Sequence, residues 1–253
     1  MATEERAEHL STQERFPQFL PDQREFFDRL VTDDWETYDN PAWDGQRRRE
    51  VAAILSRVPA RRVLDVGCGC GFHDVEIAEW PGVEEVVGID YSPRSVEVAE
   101  REYPHPRVRR AVADIFELQP EDDSFDLVAS FQVIEHLTDP FRFLESCLRH
   151  LRPGGALAIV TPNRLRLDNR LRSAFGKELR LVDPQHFQEY TPRELRDLAA
   201  PLPLEPAATV GLTAALTVPR VHVQAVPPRL GRALAALAPP VSSSFAQVWR
   251  RRV

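Results

Sequence analysis

The hydrophobic pattern of this chain changes period twice. In residues 45–58 (GQRRREVAAILSRV), Val51, Ile54, Leu55 and Val58 recur at the three- and four-residue spacing of one helical face. From residue 61 short apolar runs take over, each bounded by turn residues: RRVLDVG (61–67), VEEVVGID (83–90), VRRAVAD (108–114), FDLVASF (125–131) and ALAIVTP (156–162). Runs of this length read as buried strands. Helical segments separate them, at 72–80, 92–102 and 139–151, the second opened by Ser92 as N-cap with Pro93 at the first helical position; RPGG (152–155) reads as a turn. Alternation of strand and helix over about a hundred residues predicts a parallel sheet with helices on both faces.

After Pro162 the alternation stops. Residues 163–190 hold no clean strand, and a connection this long suggests a functional lid. TPRELRDLAA (191–200) predicts a helix with a capping box, Thr191 with Glu194. Closing strands are expected within 204–223 and 243–251, with a short helix near 228–238. Upstream, Phe26, Phe27, Leu30 and Val31 fall at helical spacing in a polar segment that also carries Phe16, Phe19, Trp35 and Tyr38. The expected organisation is a helical arm at 1–44 lying over the active site, then one domain at 45–253 with a lid insertion at 163–190.

Composition adds limits. Of 253 residues, 43% are hydrophobic and 28% charged, which suits a globular chain and excludes a disordered one. No apolar run approaches the ~18 residues of a membrane span. The start, MATEERAEHL, does not fit a secretory signal, so the cytoplasm is the expected location. Cys68, Cys70 and Cys147 cannot make a disulfide framework, and reduced packing is their expected role. The net charge of −7 is unevenly placed: residues 1–139 hold 31 acids and 15 bases, residues 140–253 hold 8 acids and 17 bases.

The chemistry-bearing residues gather where strands end, which is where open α/β sheets bind ligands. VLDVGCGCG (63–71) sets Asp65 before Gly67, Gly69 and Gly71. A dinucleotide loop needs G-x-G-x-x-G, and Phe72 breaks that pattern, so a nicotinamide enzyme is disfavoured. The tighter G-x-G-x-G suits a ligand whose amine and carboxylate approach the backbone. Asp90, ending the next strand, sits where an acid accepts both hydroxyls of a ribose. Asp114, ending the third, is placed to accept from an adenine amino group.

These segments, with VVGIDYS (86–92), VADIFELQPEDDSFDLVASFQVIEHLTDP (112–140), LRPGGALAIVTPN (151–163) and QHFQEYTPREL (185–195), resemble the class I S-adenosylmethionine-dependent methyltransferases. Within that class the resemblance is to the small-molecule group that includes the ubiquinone-pathway O-methyltransferases. It covers about residues 45–200. It implies a Rossmann-like seven-stranded sheet of order 3-2-1-4-5-7-6 with the last strand antiparallel, and S-adenosylmethionine as cofactor. It assigns Asp65, Gly67, Gly69 and Gly71 to the methionine part, Asp90 to the ribose, and Tyr91, Asp114 and Ile115 to the adenine. Gln132 would line the sulfonium end.

Glu135 and His136 follow the fourth strand, facing cofactor and acceptor. A hydroxyl acceptor must lose a proton, and histidine titrates near neutrality, so His136 is the candidate general base. His186 is placed to reach the same site from the lid. Some relatives hold a divalent metal through Glu-x-x-Glu-His. Here the first position is Gln132, a weaker neutral ligand, and no metal is expected.

The lid segment 163–180 carries six bases and two acids with an interrupted apolar face of Leu165, Leu167, Leu171, Phe175 and Leu179. It suits a solvated face, an anionic acceptor, or peripheral contact with an anionic membrane carrying a lipid-linked acceptor. Nucleic acid is not an expected partner, because no reading module is present and the overall charge is negative. The sequence supports methylation of a small-molecule hydroxyl, with a catalytically silent cofactor-binding or partner protein as the alternative; neither the oligomeric state nor the acceptor is legible in it.

Overall fold

The computed structural model describes residues 41–119, 125–183, 185–213, 217–218, 223–224, 230, 233 and 238–253. The expected N-terminal arm and most of the helix expected near 228–238 lie outside the described residues.

A seven-stranded sheet forms the centre. Its strands are β1 (Arg62–Val66), β2 (Glu85–Asp90), β3 (Val108–Val112), β4 (Phe125–Phe131), β5 (Leu151–Pro162), β6 (Leu204–Thr213) and β9 (Ser244–Arg251). Their spatial order is β3-β2-β1-β4-β5-β9-β6, which is the expected 3-2-1-4-5-7-6 when the sheet strands are numbered alone. β1 to β5 pair in parallel, and β9 runs antiparallel between β5 and β6. The expected strand at 204–223 is corrected: it ends at Thr213, and Thr217–Val218 (β7) pairs with Val223–Gln224 (β8) as a separate two-stranded ribbon. RPGG is absorbed into β5. It is looped out opposite β4, where register jumps from Phe125–Leu151 to Leu127–Ala156.

Strand alternation sends side chains to two layers. On one face Val63, Leu127, Ala129, Ala156, Ala158 and Val160 pack with Val51, Ile54 and Leu55 of α1 (Pro41–Leu55) and Ile77 and Ala78 of α2 (Phe72–Ala78). On the other face Leu64, Val128, Leu157 and Ile159 pack with Phe143, Leu144 and Cys147 of α4 (Pro140–Arg149) and Leu195 of α6 (Pro192–Ala199). Trp249 at 1% exposure and Phe245 at 0% close that layer from β9. Each such apolar side chain contributes roughly 1.5–3 kcal/mol on burial.

α3 (Pro93–Glu102) begins as expected: Ser92 Oγ accepts from Ser95 N at 3.1 Å, with Pro93 next in the chain. The capping box of α6 is also present, Thr191 and Glu194 bonding reciprocally. The strand order turns outward between β1 and β4, so the ligand crevice of this sheet lies beyond their carboxyl ends. In the 163–190 segment one helix forms, α5 (Leu167–Ala174), and its base is closed by a parallel bridge between Asn163 and Tyr190.

Candidate active site

Beyond β1 the chain must turn at once into α2. Gly67, Gly69 and Gly71 take φ of +76°, +53° and +86°, a region that strains any residue with a Cβ. At Gly67 a Cβ would stand 2.5 Å from Val133 Cγ2, so the loop after β1 presses against the loop after β4. Cys68 and Cys70 are buried free cysteines, and Cys147 is buried in α4.

Asp65, last but one in β1, is 1% exposed, and among the described residues neither of its carboxylate oxygens has a hydrogen-bond partner. Burial, reinforced by Asp74 and Asp90, pushes its pKa well above the usual carboxylate range. Asp74 is fully buried as well and grips Arg110 of β3 through two bonds of 2.8 and 2.9 Å. Asp74 thus holds the guanidinium, which acts on Asp65 only through space. A buried ionised carboxylate without a partner is costly, so the arrangement favours a cationic ligand. The glycines leave the backbone bare beside Asp65.

Asp90 ends β2, where its Oδ2 accepts from Gly69 N and its Oδ1 from Ser92 N, both at 2.9 Å. It ties the glycine loop to the start of α3 while standing at the crevice. Tyr91 follows it, half-buried. Asp114 lies two residues past β3, its Oδ1 accepting from Phe116 N at 2.8 Å, and Ile115 is buried beside it. All the expected cofactor residues but Gln132, which follows β4, therefore lie at or just beyond the ends of three adjacent strands.

Beyond β4, Gln132 adopts φ +58°, the one positive value outside glycine among the described residues, and its N–H donates to Val160 O at 2.9 Å. This kink turns the chain into a short 3-10 turn, Ile134–His136. Glu135 is fully buried. Its Oε2 accepts from Thr161 Oγ1 at 3.0 Å and its Oε1 has no partner. Burial pushes its pKa up to about 7. The His136 ring meets the His186 ring edge to face at 4.8 Å, and burial beside His186 pulls the His136 pKa down to about 4. The ligand atoms of Glu135, His136 and His186 all lie within 4.8 Å of one another. The three expected catalytic residues are brought together from two segments fifty residues apart.

One carboxylate and two imidazoles form a donor set that a divalent transition metal accepts, although their spread exceeds the separation of ligands around such an ion. Gln132, the neutral residue behind the expectation of no metal, stands next to this set in the chain.

Sequence reasoning missed the groups that hold His186. Its Nδ1 lies 3.0 Å from Glu189 Oε1, and Glu189, fully buried, also takes Arg166 Nη1 at 2.6 Å on Oε2 and the Val182 N–H on Oε1. Arg166 further ion-pairs with Asp168 at 3.0 Å and donates to the Arg180 carbonyl. Asn169 binds the same stretch, donating to Arg164 O at 2.7 Å and Arg180 O at 2.9 Å. The usable signal was the polar spacing of His186 and Glu189 in a segment without helical period. Also unforeseen was His73, stacked on Phe131 at 4.0 Å with its Nε2 2.8 Å from buried Glu50 of α1.

The comparisons agree with this geometry. Residues 64–159 match the family described as a methyltransferase domain. A protein named "Probable S-adenosylmethionine-dependent methyltransferase" from Mycolicibacterium smegmatis is 35% identical over 168 residues, 66% of this chain and 61% of that protein. A ubiquinone biosynthesis O-methyltransferase from Xanthomonas campestris is 34% identical over 122 residues, 46% of this chain and 49% of that enzyme. Among solved structures, the N-methyltransferase NodS of Bradyrhizobium japonicum with S-adenosyl-L-homocysteine superposes with a TM-score of 0.60 at 16% identity, covering 91% of this chain and 99% of NodS. Residues 64–159 thus resemble a methyltransferase domain, and the sheet that contains them has the strand order 3-2-1-4-5-7-6. The chain spans 61% and 49% of the length of the two sequence relatives described. Among the described residues no helix is long and apolar enough to cross a membrane.

Proposed function

We propose that this protein transfers the methyl group of S-adenosylmethionine to a hydroxyl of a small-molecule acceptor bound between the glycine loop and the lid. The observation that carries this reading is the convergence of Glu135, His136 and His186 at the mouth of β4. When bound, the cofactor supplies an electrophilic methyl on a positively charged sulfur. Asp65 holds the ammonium end, Asp90 takes the ribose hydroxyls, and Tyr91, Asp114 and Ile115 frame the adenine. Gln132, fixed by its backbone kink, lines the sulfonium end. Methyl transfer is an in-line displacement, so the chief work of these residues is alignment.

The acceptor oxygen forms its bond to carbon as the carbon–sulfur bond breaks, and its proton must leave to a base. His136, half-buried and neutral above about pH 4, faces the acceptor and takes that proton. Glu135, titrating about 7, shares it within the cluster, and its basicity is matched to neutral pH. Glu189 acts as a positioning residue: by engaging His186 Nδ1 it turns Nε2 away from itself and fixes the ring against His136.

The test is a methyl-transfer assay against hydroxyl, amine and carbon acceptors with mass detection of product. Transfer to a hydroxyl that falls at least tenfold in His136→Ala, with S-adenosylhomocysteine affinity kept, is the expected result. Transfer to amines alone would overturn the hydroxyl assignment, and full activity of His136→Ala would remove it as base.

A further inference from the structure

The outer surface of the lid does not look like a face meant for water. Of the nine large apolar side chains exposed among the described residues, five lie within twelve positions: Leu171, Phe175, Leu179, Leu181 and Val182. Phe175 is 77% exposed. The same stretch carries Arg170, Arg172, Lys177 and Arg180 against one acid, Glu178. Among the described residues none of these four bases is ion-paired with a carboxylate. Arg170 and Arg172 bond backbone carbonyls instead, at Leu165, Pro240 and Glu178. Such a face is apolar in the middle and cationic at the rim, and an exposed cluster of this kind marks a contact site.

We propose that residues 1–40 of this same chain dock on it. Those residues hold 11 acids and four bases, a net charge of −7, opposite in sign to the lid. They also carry six aromatic residues, and Phe26, Phe27, Leu30 and Val31 share the spacing of one helical face. An acidic amphipathic segment is the complement of a basic apolar surface. An anionic lipid surface fits less well, because it would also meet a protein that is net negative.

The point of exit agrees. Arg47 lies over the Phe72 ring at 3.6 Å and Glu50 bonds His73 at 2.8 Å, both at the first turn of α2. That turn follows the carboxyl end of β1, so α1 runs antiparallel to β1 and its Pro41 end points to the crevice end of the sheet. The 40-residue segment therefore leaves the fold on the side where the lid stands. Even half extended it spans tens of ångströms, more than the roughly 16 Å radius of gyration of a domain this size. The contact does not depend on the proposed hydroxyl chemistry.

A photo-cross-linking experiment on the full chain tests it. Phe175 is replaced by benzoylphenylalanine, the dilute protein is irradiated, and the product is mapped by mass spectrometry. The expected product has the mass of one chain and joins position 175 to peptides within residues 16–40. Its yield falls about fivefold or more in a Lys177→Glu/Arg180→Glu background and at about 1 M salt, where exposed charges are screened. An adduct of two chains would assign the face to a second copy. An adduct with these peptides that is lost, or lipid adducts that form, when phosphatidylglycerol vesicles are added would assign it to a membrane. No adduct at all would also overturn the proposal. An S-adenosylhomocysteine-induced rise in melting temperature, equal in all variants, shows that the fold is intact. Loss of that rise in the parent protein would instead count against the methyltransferase reading.

Discussion

The cofactor edge and the lid edge of the crevice are built on opposite electrostatic plans. At the cofactor edge Asp65 is buried with both oxygens open among the described residues, Asp74 and Asp90 raise its pKa further, and Arg110 is bonded to Asp74. At the lid edge Glu189 is equally buried, yet His186, Arg166 and a backbone N–H occupy it completely. Burial alone raises a carboxylate's pKa, as at Asp65; at Glu189 the bonds from His186, Val182 and Arg166 outweigh burial and hold it below its ordinary value. An open buried charge waits for a ligand. A closed one fixes structure. The difference separates residues that bind from residues that position, although both are acids in buried sites.

The sharpest break of this contrast is to neutralise each carboxylate without changing its shape. Glu189→Gln takes from buried Arg166 one of its two carboxylates, leaving Asp168, and is expected to cost about 3 kcal/mol of stability. Asp65→Asn is expected to raise the melting temperature of the ligand-free protein, because it removes a repelled, desolvated charge. Thermal melts of the two variants check both signs, and a destabilised Asp65→Asn would collapse the distinction.

Next in size is the pH dependence of Glu135. Its folded pKa of about 7 lies above the ordinary 4.5, so the folded state holds a proton that the unfolded state releases. The stability this contributes is full below about 4.5 and is lost as pH rises through about 7, by roughly 3 kcal/mol. Glu135→Gln lacks that loss, and the two melting curves against pH should converge at low pH and separate towards pH 8. His136 works in the other direction. Its pKa of about 4 means that stability falls as pH drops from 6.5 towards 4, and the comparison with Glu135→Gln cancels that contribution.

Smaller is the ligand side. Asp65→Asn and Asp90→Ala should each weaken S-adenosylhomocysteine binding by about 1.5–3 kcal/mol, the worth of a charged hydrogen bond, read by titration calorimetry. Unchanged affinity in either removes that residue from the cofactor site. The smallest effect is expected at the lid surface. Phe175→Ser should lower stability by slightly more than the about 0.5 kcal/mol of an ordinary exposed substitution, the excess reporting the proposed docking of the N-terminal segment, and thermal melts read it.

Legibility followed the range of the interactions. Ser92 and Thr191 were read as caps because a cap bonds a backbone group two or three residues away. The sheet order came from the resemblance carried by the strand-end motifs, and the pairing registers bear it out. The strand end at Thr213 was not legible, since strand-forming residues continue past it and only the pairing with β9 stops at Ser244.

What the sequence by itself determined is the alternation of strand and helix, the glycine loop, and the row of acids at successive strand ends. Period, turn chemistry and strand polarity are local properties, and polarity places every strand end on one side of a parallel sheet. What only the tertiary structure decided is which of those acids are open. Asp65 and Glu189 are both acids in the sequence, and nothing near either predicts that Arg166 crosses 23 residues to one while none reaches the other. The convergence of Glu135, His136 and His186 belongs to the same class. It exists because the Asn163–Tyr190 bridge folds the lid back over the end of β4, with Phe187 N donating to Glu135 O at 2.9 Å. Electrostatics depends on distance in space, and the chain sets that distance only once it has folded.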